Sequence, residues 1–235
     1  DANLSDLPDG VLSGSTFVRW PHLFGSNSWV LRMQQLLGWP FHIVANGAQS
    51  GDTTAQVLDR IWDYCLDYNP EVVIMQCPGI NDFALTAGDL ETTWNNLRTI
   101  FDLLMARDIF LVIATITPCV SPETLRVGKV NGARIVEINR RIRQYLQNAN
   151  AIVIDAYGQV VDIDDAEGEA LSNTLKTNDG VHYQNNGAFL VGRKAATALA
   201  NYGLTNFDSR PRSNIDCVEN SSVTASSVTI TDGIA

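Results

Sequence analysis

The sequence Asn-Asp-Gly-Val-His at residues 178–182 places an aspartate three positions before one of the chain's three histidines. An imidazole titrates near neutral pH and can act as a general base, and a carboxylate beside it can orient the ring and stabilise the imidazolium. Asp179 and His182 are therefore candidates for the acid and base of a serine hydrolase. The same pair is also compatible with a polar loop that caps a helix, so catalysis requires a nucleophile and oxyanion donors as well.

Two other loops contain residues that can donate hydrogen bonds to an oxyanion. Gly51, in the segment Asn-Gly-Ala-Gln-Ser-Gly-Asp-Thr-Thr (46–54), precedes a predicted helix, so its backbone N–H lies at a helix start. Asn81, in Pro-Gly-Ile-Asn-Asp-Phe (78–83), carries a side-chain amide that can complete an oxyanion hole. Each residue alone has an ordinary explanation, a turn glycine in one case and an Asx-turn in the other. Together with the aspartate–histidine pair they are much more specific.

The elements that must position these loops alternate along the chain. Strands are predicted where short apolar runs occur, and helices where apolar residues recur at helical spacing. The predicted strands are residues 41–47, 71–77, 109–116 and 151–157, and the predicted helices are 29–38, 52–68, 90–107, 132–148 and 187–201. Apolar strands that alternate with helices predict a parallel sheet covered on both faces, a three-layer α/β/α fold. In such sheets the functional groups gather outside the carboxyl ends of the strands.

Composition narrows the class of protein. The 235 residues are 45% hydrophobic and 18% charged, with no apolar run long enough to span a membrane. The formal net charge of −10 argues against a nucleic-acid-binding protein, which needs a basic face. The four cysteines are widely spaced and form no CxxC pair, so metal binding is not expected. From about residue 204 the chain is rich in Ser, Thr and Asn, which predicts one domain over 1–203 and a linker or the start of a β domain over 204–235.

Three segments resemble conserved blocks of the SGNH (GDSL-type) hydrolases, within a resemblance that extends over roughly residues 29–203. The segments that resemble the second, third and fifth blocks of that family are residues 46–61, 78–83 and 178–188. The resemblance implies that Gly51 and Asn81 are the two oxyanion donors. It also implies that Asp179 and His182 are two members of the catalytic triad. It also implies a flavodoxin-like esterase or lipase fold that uses neither a metal nor an organic cofactor. Tyr183 stands where many members of the family have a proline after the histidine.

The first block of the family, Gly-Asp-Ser after the first strand, does not occur in this sequence. Three explanations are open. The strand and its serine lie upstream of Asp1, which is our first expectation; or Val-Leu-Ser-Gly-Ser-Thr-Phe (11–17) is a degenerate first block with Ser15 as nucleophile, 36 positions before Gly51; or the protein has no nucleophile. Ser50 also lies at a predicted strand-to-helix turn, but its Gly-x-x-Ser-Gly sequence is not the nucleophile-elbow pattern Gly-x-Ser-x-Gly.

The resemblance implies a serine carboxylester hydrolase, and we expect a carbohydrate O-acetylesterase domain of a larger modular protein. The expected partner is a small-molecule or polysaccharide ester, with neither a nucleic acid nor a membrane as a partner. The Ser/Thr-rich tail is typical of modular proteins that act at surfaces, which favours an extracellular, surface or virion-associated location. The alternatives are a catalytically silent carbohydrate-binding module with the same fold, and a lipase or thioesterase of the same family.

Overall fold

A parallel sheet lies at the centre of the fold. The computed structural model describes residues 27–49, 51–85, 89–119, 128–163, 177 and 180–203. Its three parallel strands lie in the order in which they occur in the chain: Val72–Gln76 (β1), Phe110–Ala114 (β2) and Ala151–Ile154 (β3). Three predicted strands are thereby confirmed, each somewhat shorter than the apolar run that predicted it.

Helices occupy the chain before, between and after the strands. They are Trp29–Leu37 (α1), Thr54–Tyr64 (α2), Ile80–Leu85 (α3), Leu90–Met105 (α4), Gly128–Leu146 (α5), Tyr157–Val160 (α6) and Asn185–Asn201 (α7), with a short 3-10 helix at Leu66–Tyr68. Gly38 ends α1 in the left-handed conformation, with φ of 75°, and Thr53 begins α2 in a capping box with Gln56. The five predicted helices are confirmed. The two shortest α-helices, α3 and α6, were not predicted because they contain too few residues to establish a helical period.

The two faces of the sheet carry separate apolar cores. β2 is buried along its whole length, and its alternate side chains point to opposite faces. On one face, Val112 belongs to a cluster that includes Trp29 of α1 and Val191 of α7. On the other face, Leu111 belongs to a cluster that includes residues of α2, α4 and α5. Helices therefore cover both faces, and the predicted three-layer α/β/α architecture is confirmed.

Residues 41–47 differ from the prediction of a strand. This segment is described, and neither a strand nor a helix is assigned to it. Side-chain exposure nevertheless alternates from Phe41 to Ala45, as it does along a strand with one buried face. A strand is defined by hydrogen bonds to a neighbouring strand, and the sheet formed by the described residues runs only from β1 to β3. β1 is an edge of that sheet, and residues 41–47 are not one of its members.

None of the helices in the described ranges is both long enough and apolar enough to cross a membrane. Residues 1–26 and 204–235 lie outside the described residues. The boundary near residue 203, and the linker or β domain predicted beyond it, therefore stay predictions.

Candidate active site

Gly51 lies in the turn that leads into α2. Its φ of 83° is a backbone conformation that residues with a side chain rarely adopt, and a Cβ built on it would meet no atom within 4 Å. The backbone conformation therefore requires glycine here, and the space beside it is open. Gly51 is exposed and lies two residues before Thr53, the N-cap of α2. A backbone N–H near the positive end of a helix suits a negatively charged ligand.

Asn81 lies in the first turn of α3, just after β1. The chain reaches it through Gly79, whose φ is 140° and where a Cβ would lie 2.6 Å from Cδ1 of Ile116. Asn81 Nδ2 donates a hydrogen bond of 2.9 Å to the carbonyl oxygen of Asp52. A side-chain amide has two hydrogens. This bond uses one of them and orients the amide.

Asp52, the neighbour of Gly51, is held from two sides. Its carbonyl oxygen accepts the hydrogen bond from Asn81, and its carboxylate forms an ion pair with Arg60 of α2. The Asp52 side chain is 8% exposed, and the Arg60 guanidinium lies 5.1 Å from the centre of the Tyr64 ring. Solvent and salt screen a partly buried ion pair much less than an exposed one. These contacts fix the backbone next to Gly51.

Asp82 joins the start of α2 to α3. Its carboxylate, in a residue that is 5% exposed, accepts hydrogen bonds from Thr54 N at 2.8 Å and from Thr54 Oγ1 at 2.5 Å. Asn96 of α4 donates to the same Thr54 hydroxyl at 3.0 Å. The carboxylate thereby satisfies one of the backbone N–H groups that have no partner within a helix at its first turn. The turn that contains Gly51 and the first turn of α3, which contains Asn81, therefore form one hydrogen-bonded unit.

We expect the substitution Asp82→Asn to lower the free energy of unfolding by about 1–3 kcal/mol. An asparagine amide would turn its NH2 group toward one of the two Thr54 donors, and the buried donor would lose its acceptor. Urea unfolding followed by circular dichroism measures the change. The matched control is Asp67→Asn in the exposed part of the 3-10 helix, where the change should stay within about 0.5 kcal/mol. Equal losses in the two variants would contradict this role of the Asp82 carboxylate.

His182 lies in a short loop that is closed at its base. Thr177 and Tyr183 form an isolated antiparallel bridge, and Gln184 Nε2 donates to the Thr177 carbonyl oxygen at 2.8 Å. The His182 side chain is half-buried. The chain continues directly into α7, which starts at Asn185 and contributes to the same core cluster as α1. The loop is therefore attached, three residues after His182, to a helix that has one buried face.

The loops with Gly51, Asn81 and His182 lie at the same edge of the sheet. The hydroxyl of Tyr183, the residue after His182, donates to Oε1 of Gln76 at 2.9 Å, and Gln76 is the last residue of β1. Asn81 follows the same strand end and bonds to the loop that contains Gly51. The structure thus brings the two candidate oxyanion donors, Gly51 and Asn81, together. It also joins the loop of His182 to the end of β1, the strand that precedes Asn81.

Three residues considered from the sequence lie outside the described residues: Ser15, Ser50 and Asp179. Their roles stay predictions. Within the described ranges there is no group of three or more His, Cys, Asp or Glu side chains that could hold a metal ion. Cys77, directly after β1, is buried, and burial raises the pKa of its thiol well above the ordinary value. It is therefore a neutral thiol at physiological pH, unsuited to act as a nucleophile.

Two buried polar residues that support this edge were not singled out from the sequence. Gln76 is 4% exposed, and its Nε2 donates to the carbonyl oxygen of Thr115 at 2.5 Å. Asn139 of α5, 1% exposed, accepts from Ile116 N at 2.8 Å and donates to Ile116 O at 2.7 Å. The available signals were a glutamine that ends an apolar strand and an asparagine on the apolar side of a helix. Neither signal identifies the residue with which the side chain forms its hydrogen bonds.

The fold is similar to the folds of several solved structures. An acylhydrolase from Bacteroides fragilis superposes with a TM-score of 0.61 at 22% identity, over 75% of this chain and 82% of that one. A mutant of an acetyl-xylooligosaccharide esterase from Geobacillus superposes with a TM-score of 0.60 at 16% identity, over 79% and 88%. A carbohydrate esterase of family 3 from Talaromyces cellulolyticus gives 0.53 at 14% identity, over 76% and 90%. No protein of curated function matches the chain by sequence.

The family model described as GDSL-like Lipase/Acylhydrolase family matches residues 12–188. This match covers more than half of the chain and includes the segments that contain Gly51, Asn81 and His182. It begins three residues before Ser15 and ends in the first turn of α7. The resemblance predicted from three short segments is confirmed, and the chain belongs to the GDSL-like Lipase/Acylhydrolase family.

Proposed function

We propose that this chain is a serine carboxylester hydrolase that removes O-acetyl groups from carbohydrates. The observation that carries the proposal is the hydrogen bond from Asn81 Nδ2 to the Asp52 carbonyl oxygen, because it joins two candidate oxyanion donors into one site. Gly51 supplies a backbone N–H at a helix start, and Asn81 supplies an N–H of its side chain. Donors fixed before the reaction stabilise developing charge without reorganisation, which is the largest single contribution in many acyl transfers.

The proposed reaction follows the pattern of serine esterases. The serine Oγ attacks the ester carbonyl carbon while His182 accepts the hydroxyl proton, and Asp179 stabilises the imidazolium. The carbonyl oxygen becomes an oxyanion that receives hydrogen bonds from the Gly51 N–H and the Asn81 amide. The C–O bond to the alcohol then breaks, and His182 returns the proton to the leaving oxygen. Water enters by the same route, releases the acid and regenerates the serine.

We assign the nucleophile to Ser15. The family match begins at residue 12, so the matched region extends upstream of Gly51 far enough to include Ser15. This supports the degenerate first block over a serine upstream of Asp1, which was our first expectation from the sequence. Ser50 remains less suited, because its loop supplies the Gly51 donor.

The choice of substrate rests on two of the similar structures. One is named as an acetyl-xylooligosaccharide esterase and the other as a carbohydrate esterase. Gly51 is exposed, and an exposed oxyanion donor suits an ester whose alcohol is a bulky sugar. A lipase or thioesterase would act on long acyl chains and requires an apolar surface to bind them.

The test combines turnover with covalent labelling. We expect the protein to release acetate from acetylated xylooligosaccharides and to hydrolyse p-nitrophenyl acetate faster than p-nitrophenyl octanoate. A fluorophosphonate should add one label, which peptide mapping should locate on Ser15. Labelling of another serine would overturn the assignment of the nucleophile but not the hydrolase. A preference for the octanoate would favour the lipase, and sugar binding without turnover or labelling would replace the enzyme by a silent carbohydrate-binding module.

A further inference from the structure

Tyr183, the residue after His182, has a phenol buried against the end of the sheet. The residue is 1% exposed and belongs to the core cluster on the α1 and α7 face. Its hydroxyl donates to Gln76 Oε1 at 2.9 Å, and Gln76 Nε2 donates to the Thr115 carbonyl oxygen at 2.5 Å. The Thr115 hydroxyl accepts from Tyr157 N at 3.0 Å. Hydrogen bonds therefore connect the histidine loop to the ends of β1 and β2 and to the start of α6.

Apolar packing alone does not explain the Tyr183 hydroxyl. A buried hydroxyl without a partner is unfavourable, and a phenylalanine would fill nearly the same volume without that cost. Burial raises the pKa of the Tyr183 phenol above its ordinary value, so the group stays protonated and acts as the donor to Gln76. Gln76 can in turn accept this bond and donate to Thr115 because a carboxamide has both kinds of atom.

The backbone of Tyr183 closes the loop that its side chain anchors. Tyr183 forms the antiparallel bridge with Thr177, and Gln184 adds a hydrogen bond to the same threonine. Consecutive Cα atoms are about 3.8 Å apart, so a displacement of Tyr183 is passed to His182. A misplacement of about 1 Å in a reacting group can reduce the rate by about 10²-fold. The position of His182 therefore depends on the buried hydrogen bond between Tyr183 and Gln76.

We propose that Tyr183 is a positioning residue for His182, with its hydroxyl, held by Gln76, setting the place of the imidazole at the carboxyl edge of the sheet. This inference rests on the proposed function, because it takes His182 as the base in ester hydrolysis. A purely structural role for the hydroxyl makes a different prediction. In that case its removal would lower the melting temperature and leave the rate constants of the folded protein unchanged.

The first test is Tyr183→Phe in the full chain, assayed with p-nitrophenyl acetate. We expect kcat to fall about 10-fold while KM changes less than about twofold, since the base is displaced and the substrate contacts are kept. The matched control is Tyr145→Phe on α5, whose hydroxyl donates to Asp102 on the protein surface. This control should keep the wild-type kcat and KM.

The second test breaks the same bond from its other side with Gln76→Met, which keeps the proposal testable if Tyr183→Phe fails to fold. We expect a similar loss of kcat, and a double variant no slower than the slower single variant, because both changes remove the hydrogen bond between Tyr183 and Gln76. Wild-type kcat in either folded variant would overturn the positioning role, as would multiplied losses in the double variant. An inactive wild-type protein would overturn the proposed function together with the positioning role. An active wild-type protein with unaffected variants would overturn the positioning role alone.

Discussion

Replacing His182 by alanine should lower kcat for ester hydrolysis by about 10⁴-fold, the upper end of what a positioned acid–base group contributes. The Thr177–Tyr183 bridge and the hydrogen bond from Tyr183 to Gln76 attach the backbone next to His182 to the strand end that precedes Asn81. Without the imidazole, the serine hydroxyl has no acceptor for its proton and the leaving alcohol has no donor. The oxyanion donors are unchanged, so a residual rate above that in water should remain. Initial rates with p-nitrophenyl acetate, together with the rate of fluorophosphonate labelling, measure the loss.

His42→Ala is the matched control for this substitution. His42 is exposed in the segment before Asn46 and should tolerate alanine with wild-type kcat. Circular dichroism spectra that overlay on the wild type would establish that both variants are folded. A His182→Ala protein that retains more than about a tenth of the wild-type kcat would contradict the role of the histidine as general base.

The sequence predicted the fold where the physical signal is local. Apolar runs identified β1, β2 and β3 because the strands of a parallel sheet that is covered on both faces consist mainly of apolar residues. The helix ends are local as well, because the left-handed Gly38 and the capping hydroxyl of Thr53 each act within one turn. The segment 41–47 was the exception, since membership of a sheet depends on a neighbouring strand that a local pattern does not reveal.

The distinction between local signals and contacts across the chain also applies to the candidate site. Gly51, Asn81 and His182 were singled out because their residue types carry chemistry and their loops follow predicted strands. Gln76 and Tyr183 are 107 positions apart, and no local pattern indicates that a phenol will meet a carboxamide beneath the histidine loop. A glutamine that ends an apolar strand indicates only that some buried polar partner is required. Long-range hydrogen bonds of this kind are found from coordinates.

Replacing Asn81 by alanine should lower kcat by about 10²–10³-fold with little change in KM, since one oxyanion donor contributes about 2.7–4 kcal/mol to the transition state. The amide is suited to this role because its bond to the Asp52 carbonyl fixes the orientation of its second hydrogen. The exposed Asn95→Ala on α4 is the matched control and should retain wild-type kcat.

The substitution at Asn81 also breaks the bond to Asp52, so loosening of the Gly51 loop has to be separated from loss of the donor. Asp82→Asn makes this separation, because it weakens the attachment of Thr54 at the start of α2, just after the Gly51 turn, and leaves the Asn81 amide in place. If the donor matters, Asn81→Ala should lose at least about ten times more kcat than Asp82→Asn, measured under conditions in which both are folded. Equal losses would mean that Asn81 acts only by holding the loop, and the oxyanion would then depend on the Gly51 N–H and on a donor outside Asn81.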